Sequence, residues 1–462
     1  MTFQGQRIAP AASRAAARAP ERVLYGLHYP SALQRKCRAG HHTGMPPIPS
    51  IQPDRLWHRL ETLASFTLPD VPWTRRAFSP EFERARHWLR GQFEEAGLTV
   101  HLDAAGNLTG RREGSQPGLA PLVTGSHCDT VVGGGRFDGI LGVLAGLEVA
   151  QSLHESGVVL RHPLEVVDFL SEEPSDYGIS CVGSRAFAGT MDDAMLAACN
   201  EAGESLAQAM QRIGARPDAL AGAARGPGGV AAFVELHIEQ GPVLEREKLP
   251  IGVVTDIVGI RRVALTVTGQ PDHAGTTPMD IRRDALVGAA RLIDAVHREA
   301  SAMDGHPHYV VATIGRISMS PNVPNAVPGR VDMVLEVRSN AQAVLDEFPE
   351  RAMALCSDDL RQLRLSCSAA PLTRTPPTKC SDLVMQAVAR AADRLALPHR
   401  ALPSGAGHDA MHVAATGPMG MIFIPCLDGR SHCQEEWASK EQVAAGTRVL
   451  AETLRVLDAP AP

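Results

Sequence analysis

The chain has 462 residues, of which 44% are hydrophobic and 21% charged, with 45 basic against 51 acidic side chains. That length allows two or three domains with ample cores and excludes both intrinsic disorder and a disulfide-stapled miniprotein. A net charge of −6 gives no broad attraction for nucleic acid or an anionic membrane, and no apolar run nears the roughly 20 residues that cross a bilayer.

In chain order, residues 1–48 come first and differ from the rest. Arg7, Arg14, Arg18, Arg22, Arg35, Lys36 and Arg38 are opposed only by Glu21. This stretch reads either as an Arg-rich, acid-poor transit peptide or as a disordered or spurious extension with Met45 as the true start. Arginine dominates lysine along the whole chain, which favours the extension. From Ile51 onward helix and strand signals alternate. Ser79-Pro80 before Phe82, Ala85, Trp88 and Leu89 predicts a capped amphipathic helix closed by Gly97. An apolar strand over 121–124 leads into a polar turn. Ile140, Val143, Leu144 and Leu147 then mark a helix ending near Gly157. Further buried strands are expected at 164–170 and 233–237. Such alternation predicts an α/β fold with functional loops at the strand ends.

Between about 255 and 370 the pattern changes. Val263, Leu265 and Val267 alternate with polar or small neighbours, as in a half-buried strand. A helix is expected over 280–300, with Ala285, Leu286, Ala289, Leu292, Ile293 and Val296 on one face. Strands follow at 310–314 and 331–338. After the Pro-rich 371–377 segment, Ser381 caps a helix and the α/β pattern resumes. The expected organisation is an α/β sheet domain over 51–254 and 371–462, interrupted by a smaller α+β insert over 255–370. Nine cysteines stand singly with no CxxC pair, which points to reduced thiols in a cytoplasm.

The densest chemistry lies in Gly125-Ser126-His127-Cys128-Asp129-Thr130, Arg136-Phe137-Asp138-Gly139 and Ser171-Glu172-Glu173. His237, His273 and His432 stand in further polar contexts. At a strand end His127 and Asp129 share a face, and a neighbouring carboxylate can accept a histidine's second ring N–H and make it a better metal ligand. Glu172 and Glu173 follow an apolar strand directly. Two adjacent carboxylates cannot both be buried and ionised without compensation, so they are either solvated or divided between a cation and proton handling. No lysine follows a glycine and no GxSxG string occurs, so a phosphate loop and a serine-hydrolase elbow are excluded.

The strings GSHCDTVVGGGRFDGILGVLAGLEV, DFLSEEPSDYGISCVGSRAFAG, ELHIEQGPVLE, GQPDHAGTTPMDIRRDAL, PNVPNAVPG and SGAGHDA…GRSHCQEE resemble, in order, the carbamoylase branch of the aminoacylase/carboxypeptidase metallohydrolase superfamily. That branch holds N-carbamoyl-L-amino-acid hydrolases, allantoate amidohydrolases and β-ureidopropionases. The resemblance implies a mixed, helix-covered sheet and a ferredoxin-like lid and dimerisation domain. It implies two divalent ions per subunit, with zinc favoured and manganese, cobalt or nickel also suited. His127, His237 and Asp138 would hold one ion, and Asp138, Glu173 and His432 the other, around a bridging water. Glu172 would be the general base, Asp129 would orient His127, and His273 would stabilise the oxyanion across a dimer. Arg338 would clamp a substrate carboxylate, and Gln240 and Asn325 would be further contacts.

The implied partner is a small anionic ureido or amide acid, with a second copy of the chain forming a homodimer. The implied reaction is cleavage of an N-carbamoyl-L-amino acid to amino acid, carbon dioxide and ammonia. Allantoate and N-carbamoyl-β-alanine are alternative substrates, and a non-catalytic binding protein on the same fold is the alternative class. Pro174-Ser175-Asp176-Tyr177 departs from the Gly and Arg-Phe pattern associated with several relatives, which bears on the substrate and not on the metals.

Overall fold

A computed structural model describes residues 50–303 and 307–460, so the expectation for residues 1–48 lies outside the described residues. Two helices lead. α1 is Pro53–Ser65 and α2 is Pro80–Glu95. Ser79 caps α2 as expected, its side chain accepting from Phe82 N at 3.2 Å. Two strands that the sequence reading left out follow, β1 (Thr99–Leu102) and β2 (Leu108–Arg112). Then come β3 (Leu122–His127), α3 (Ile140–Glu155), β4 (Leu164–Phe169), β5 (Ala232–Ile238) and β6 (Ile251–Ile257).

The next segment holds β7 (Gly259–Thr268), α4 (Ala285–Met303), β8 (Val310–Ser320), β9 (Arg330–Ser339), α5 (Gln342–Leu355) and β10 (Ser366–Thr375). The chain closes with β11 (Thr378–Lys379), α6 (Asp382–Arg394), β12 (His399–Ser404), β13 (Met419–Ile424) and α7 (Lys440–Asp458).

The larger sheet runs β1-β2-β4-β3-β5-β13-β6-β11, with β12 pairing β6. Its centre, β4-β3-β5-β13, is parallel, and its flanks are antiparallel except for β12, which pairs β6 in parallel. β3, β4, β5 and β13 are buried at every position, as strands covered on both faces must be. The loops that carry His127, Glu172–Glu173 and His432, and the end of β5 with His237, therefore lie at the carboxyl ends of parallel strands, where open α/β sheets form their crevices.

The smaller sheet is antiparallel in the order β10-β7-β9-β8. Val263, Leu265, Val331, Met333 and Leu335 on one face share a core with Ala289 and Leu292 of α4 and Phe348 of α5. α4 starts at Ala285 rather than 280, with Asp284 accepting from Leu286 N at 2.9 Å. Leu286 and Ile293 are exposed, contrary to expectation. The buried stripe runs instead through Ala285, Gly288, Ala289, Leu292, Ala295 and Val296, small residues that let the helix sit close to the sheet. β10 is also a correction. The sequence ends the insert before Pro371, but β10 is an edge strand with a register shift beside that proline, a setting in which a sheet tolerates it. The small sheet accordingly extends to Thr375. Ser381 occupies the N-cap of α6 without a side-chain capping bond.

The two sheets are joined by a pair of neighbouring crossings. Ile257-Val258-Gly259 runs beside Thr375-Pro376-Pro377-Thr378, with Ile260 opposite Thr375 and Ile257 opposite Thr378. A Cβ on Gly259 would lie 2.6 Å from both Pro377 N and Thr375 O, so only glycine lets the crossings approach this closely. No helix among the described residues is long and apolar enough to cross a membrane.

Candidate metal centre

β3 delivers His127 to the crevice, 2% exposed, with its Nδ1 3.0 Å from the main-chain carbonyl of Asp129. β5 delivers His237, 1% exposed, with its Nδ1 2.9 Å from the carbonyl of Ile238. A carbonyl only accepts, so each Nδ1 carries a ring proton, and each ring, when neutral, turns its Nε2 lone pair inward. Gly139 N donates to the Nε2 of His237 at 3.2 Å, in keeping with that tautomer. Both Nε2 atoms face Oδ1 of Asp138, at 3.5 Å from His127 and 3.2 Å from His237.

On the other side of Asp138, Nε2 of His432 lies 3.4 Å from its Oδ2 and 3.2 Å from Oε1 of Glu173. His127, Asp138 and His237 thus form one group whose ligand atoms lie within 4.8 Å of one another, and Asp138, Glu173 and His432 form a second. Lone pairs converging on lone pairs repel unless a positive charge stands between them. Imidazole nitrogens and carboxylate oxygens in two triads that share one aspartate therefore fit a pair of divalent cations.

The electrostatics of the cation-free cluster tell the same story. Burial disfavours the His127 cation, but its contacts with Asp129 and Asp138 and the charge of Glu172 hold its pKa well above the usual imidazole value. Contacts with Asp138 and Glu173 push the half-exposed His432 up to about 11. Burial works against an ionised Asp138, yet the charge of His237 and its contacts with His127, His237 and His432 hold it well below the ordinary carboxylate range. Glu172 behaves in the opposite way. Burial, with the neighbouring charges of Glu173, Asp409 and Asp129, raises its carboxyl well above the usual value despite His127. Its Oε2 lies 3.7 Å from the Nε2 of His127.

Asp129 is 1% exposed, and its two carboxylate oxygens accept Glu172 N at 3.2 Å and Glu173 N at 3.1 Å. It ties the acid pair to the His127 loop, while its main-chain carbonyl holds the ring. Gln240 also joins the cluster, its Nε2 donating to Oδ2 of Asp138 at 2.6 Å. Behind His237, the ring of His408 packs edge-on at 4.7 Å and contacts Ser404 Oγ at 2.9 Å.

The remaining expected residues lie elsewhere. His273 and Asn325 are exposed and share a short ribbon in which Ala274 N donates to Asn325 O at 3.0 Å. Nδ1 of His273 accepts Gly275 N at 3.1 Å and Thr276 N at 3.2 Å, which leaves its Nε2 as the protonated, outward donor. Among the described residues no hydrogen bond or ion pair joins either residue to the Asp138 cluster. Arg338 donates from Nε to Glu336 at 2.8 Å and from Nη1 to Gly405 O at 3.0 Å, reaching from the small sheet to the loop of His408. In the segment with the divergent sequence, Asp176 pairs with Arg76 at 2.8 Å and Tyr177 donates to Glu204 at 2.6 Å.

Ser431 and Glu436, which the sequence reading did not single out, also touch the Asp138 loop. Ser431 Oγ lies 2.8 Å from Asp138 Oδ2 and 2.7 Å from Glu436 Oε2. The only signal in the sequence was a pair of adjacent acids, Glu435-Glu436, close after His432.

The chain is similar to several known proteins. Residues 123–456 match the model of peptidase family M20/M25/M40. An N-carbamoyl-L-amino acid amidohydrolase of Geobacillus stearothermophilus is 42% identical over 405 residues, 87% of this chain and 98% of that protein. An allantoate amidohydrolase of Bacillus subtilis is 34% identical over 382 residues, 82% of this chain and 92% of that protein. The solved structure of an amidase of the hydantoinase/carbamoylase family from Burkholderia multivorans matches with a TM-score of 0.83 at 38% identity, covering 90% of this chain and 100% of that one.

Proposed function

The chain belongs to peptidase family M20/M25/M40 and hydrolyses C–N bonds, and from that premise we propose that its substrate is an N-carbamoyl-L-amino acid. The balanced reaction adds one water across the ureido C–N bond and yields the amino acid, carbon dioxide and ammonia. The observation that carries this reading is the convergence of His127, His237, Glu173 and His432 on the two oxygens of Asp138. The family is metal-dependent, and this donor set suits zinc first, with manganese, cobalt or nickel as substitutes. Two such ions would polarise the ureido carbonyl and acidify the attacking water.

The chain's own groups do the rest. His127 and His237 keep their lone pairs inward because main-chain carbonyls hold their ring protons. Glu172, fixed through its backbone to Asp129, takes the proton of the water and hands it to the departing nitrogen. Its raised pKa suits a group that must hold that proton between the two events. Gln240 orients Asp138 and remains close enough to the cluster to contact substrate. Arg338 supplies a planar fork for the substrate carboxylate. His273, with its proton on the outward Nε2, is a neutral donor for a developing oxyanion, and Asn325 on the same ribbon is a further polar contact.

Because His273 and Asn325 are exposed and unlinked to the cluster, we assign the small-sheet region the roles of lid and dimerisation surface, with His273 serving the site of a second copy. We also assign the protein to a reducing cytoplasm, on cysteines that stand singly along the sequence. The test is ammonia release from a panel of N-carbamoyl-L-amino acids, allantoate and N-carbamoyl-β-alanine, after reconstitution with each metal in turn. Preference for the carbamoyl amino acids is expected. Faster turnover of allantoate or N-carbamoyl-β-alanine would reassign the substrate and leave the site intact.

A further inference from the structure

We propose that Glu436 is a positioning residue that fixes Asp138, and with it the spacing of the two cation positions, by joining the Asp138 loop to the His432 loop. The proposal rests on the dinuclear reading of the site.

Glu436 is fully buried. Its Oε1 accepts two consecutive backbone amides, Phe137 N at 2.7 Å and Asp138 N at 3.0 Å. Its Oε2 contacts Ser431 Oγ, which also reaches the Asp138 carboxylate. One carboxylate thus holds Asp138 from its main chain and, through Ser431, from its side chain. Ser431 is the residue before His432, so the same contacts set where that histidine stands.

Neighbouring side chains close the same seam. The guanidinium of Arg136 lies 4.6 Å from the Trp437 ring and 4.9 Å from the Trp73 ring, and Phe137 meets Trp437 edge-on at 5.5 Å. A Cβ on Gly135 would lie 1.9 Å from the Glu436 carboxylate, so the acid fills the space that any side chain at 135 would need.

The chemistry argues against a purely structural acid. The hydrogen-bonding partners of Glu436 are backbone amides and a hydroxyl, and it lies beside a second carboxylate. A buried carboxylate that forms no ion pair is costly even with the charge of Arg136 nearby, and a packed core would do better with an apolar or amide side chain. The cost is offset if positive charge is bound next to it, on the far side of Asp138.

The experiment titrates metal-free protein with zinc against a chromogenic chelator and repeats the titration with cobalt, following the visible spectrum of the bound ion. Wild type is expected to take up two ions per chain. In E436A and S431A one of the two should be held roughly 10- to 100-fold more weakly, as for other groups that orient metal ligands, with an altered cobalt spectrum. E436Q keeps an oxygen for the two backbone amides but loses the charge, and should weaken that ion less than E436A does. A merely structural role would lower the melting temperature without changing the affinity of the folded protein. Unchanged affinity for both ions in folded E436A overturns the proposal, as does equal loss in E436A and E436Q. If E436A does not fold, S431A decides in its place, and unchanged affinity there overturns the proposal. Wild type that binds no zinc at all would strike the dinuclear reading itself, and the proposal with it.

Discussion

The cluster around Asp138 and the residues assigned to substrate recognition are built in opposite ways. Around Asp138 the groups, apart from the half-exposed His432, are buried and fixed by main-chain atoms, and their charges shift one another's pKa strongly. On the short ribbon His273 and Asn325 face solvent, and on the small sheet Arg338 is shared between Glu336 and a carbonyl of the His408 loop. Groups that must meet developing charge are best desolvated and fixed in advance, because reorganising them during the reaction would raise the barrier. Groups that select a substrate must first be reached by it, and can be brought into place afterwards.

The largest expected effect probes the buried region. Glu172→Gln should lower kcat by roughly 10²- to 10⁴-fold while zinc content stays at the wild-type level. Activity close to wild type would remove the proton-transfer role. The next probes the exposed region. His273→Asn should lower kcat by roughly 10²- to 10³-fold. Mixing it with Glu172→Gln under subunit-exchange conditions should then restore about a quarter of wild-type activity, since half of the dimers would be mixed and each would hold one complete site. Recovery of nothing from two folded proteins would mean that His273 serves its own chain or none.

Arg338→Lys should raise KM by roughly 10- to 100-fold with kcat little changed, because a point charge replaces a two-pronged donor in binding that ground and transition states share. A fall in kcat alone would move Arg338 out of recognition. The smallest expected effect on catalysis separates structure from site. Burial, followed by the charge of Arg185, lowers the pKa of His412 to about 4. Below the unfolded value of roughly 6.5 the unfolded chain binds a proton that the folded chain refuses, so stability falls as pH drops from there to 4. The depression corresponds to on the order of 3 kcal/mol at pH 4. His412→Met should flatten that part of the melting-temperature profile and leave turnover at neutral pH unchanged.

The central strands and the ligand types were legible because buried parallel strands read as continuous apolar runs and the ligands stand at their ends. The Ser79 cap was legible because it is a local signal. β10 was not, since an edge strand can carry a proline that would forbid a central one. The exposure of Leu286 and Ile293 followed from how closely α4 approaches its sheet, which the spacing of apolar residues does not encode. Glu436 was missed because its partners, Phe137 and Asp138, lie some 300 residues earlier in the chain, and only the folded structure joins them.

The paired crossings at Gly259 and Pro377 carry a mechanical implication. Two adjacent strands can flex and twist about a common line, but hydrogen bonds on both sides of the crossing prevent either from sliding past the other. Any swing of His273, Asn325 and Arg338 toward or away from Asp138 is therefore an arc of constant radius. Small changes of angle at the pivot become large displacements at the far tip, and a bulky side chain in place of Gly259 would jam the joint without touching a single reacting group.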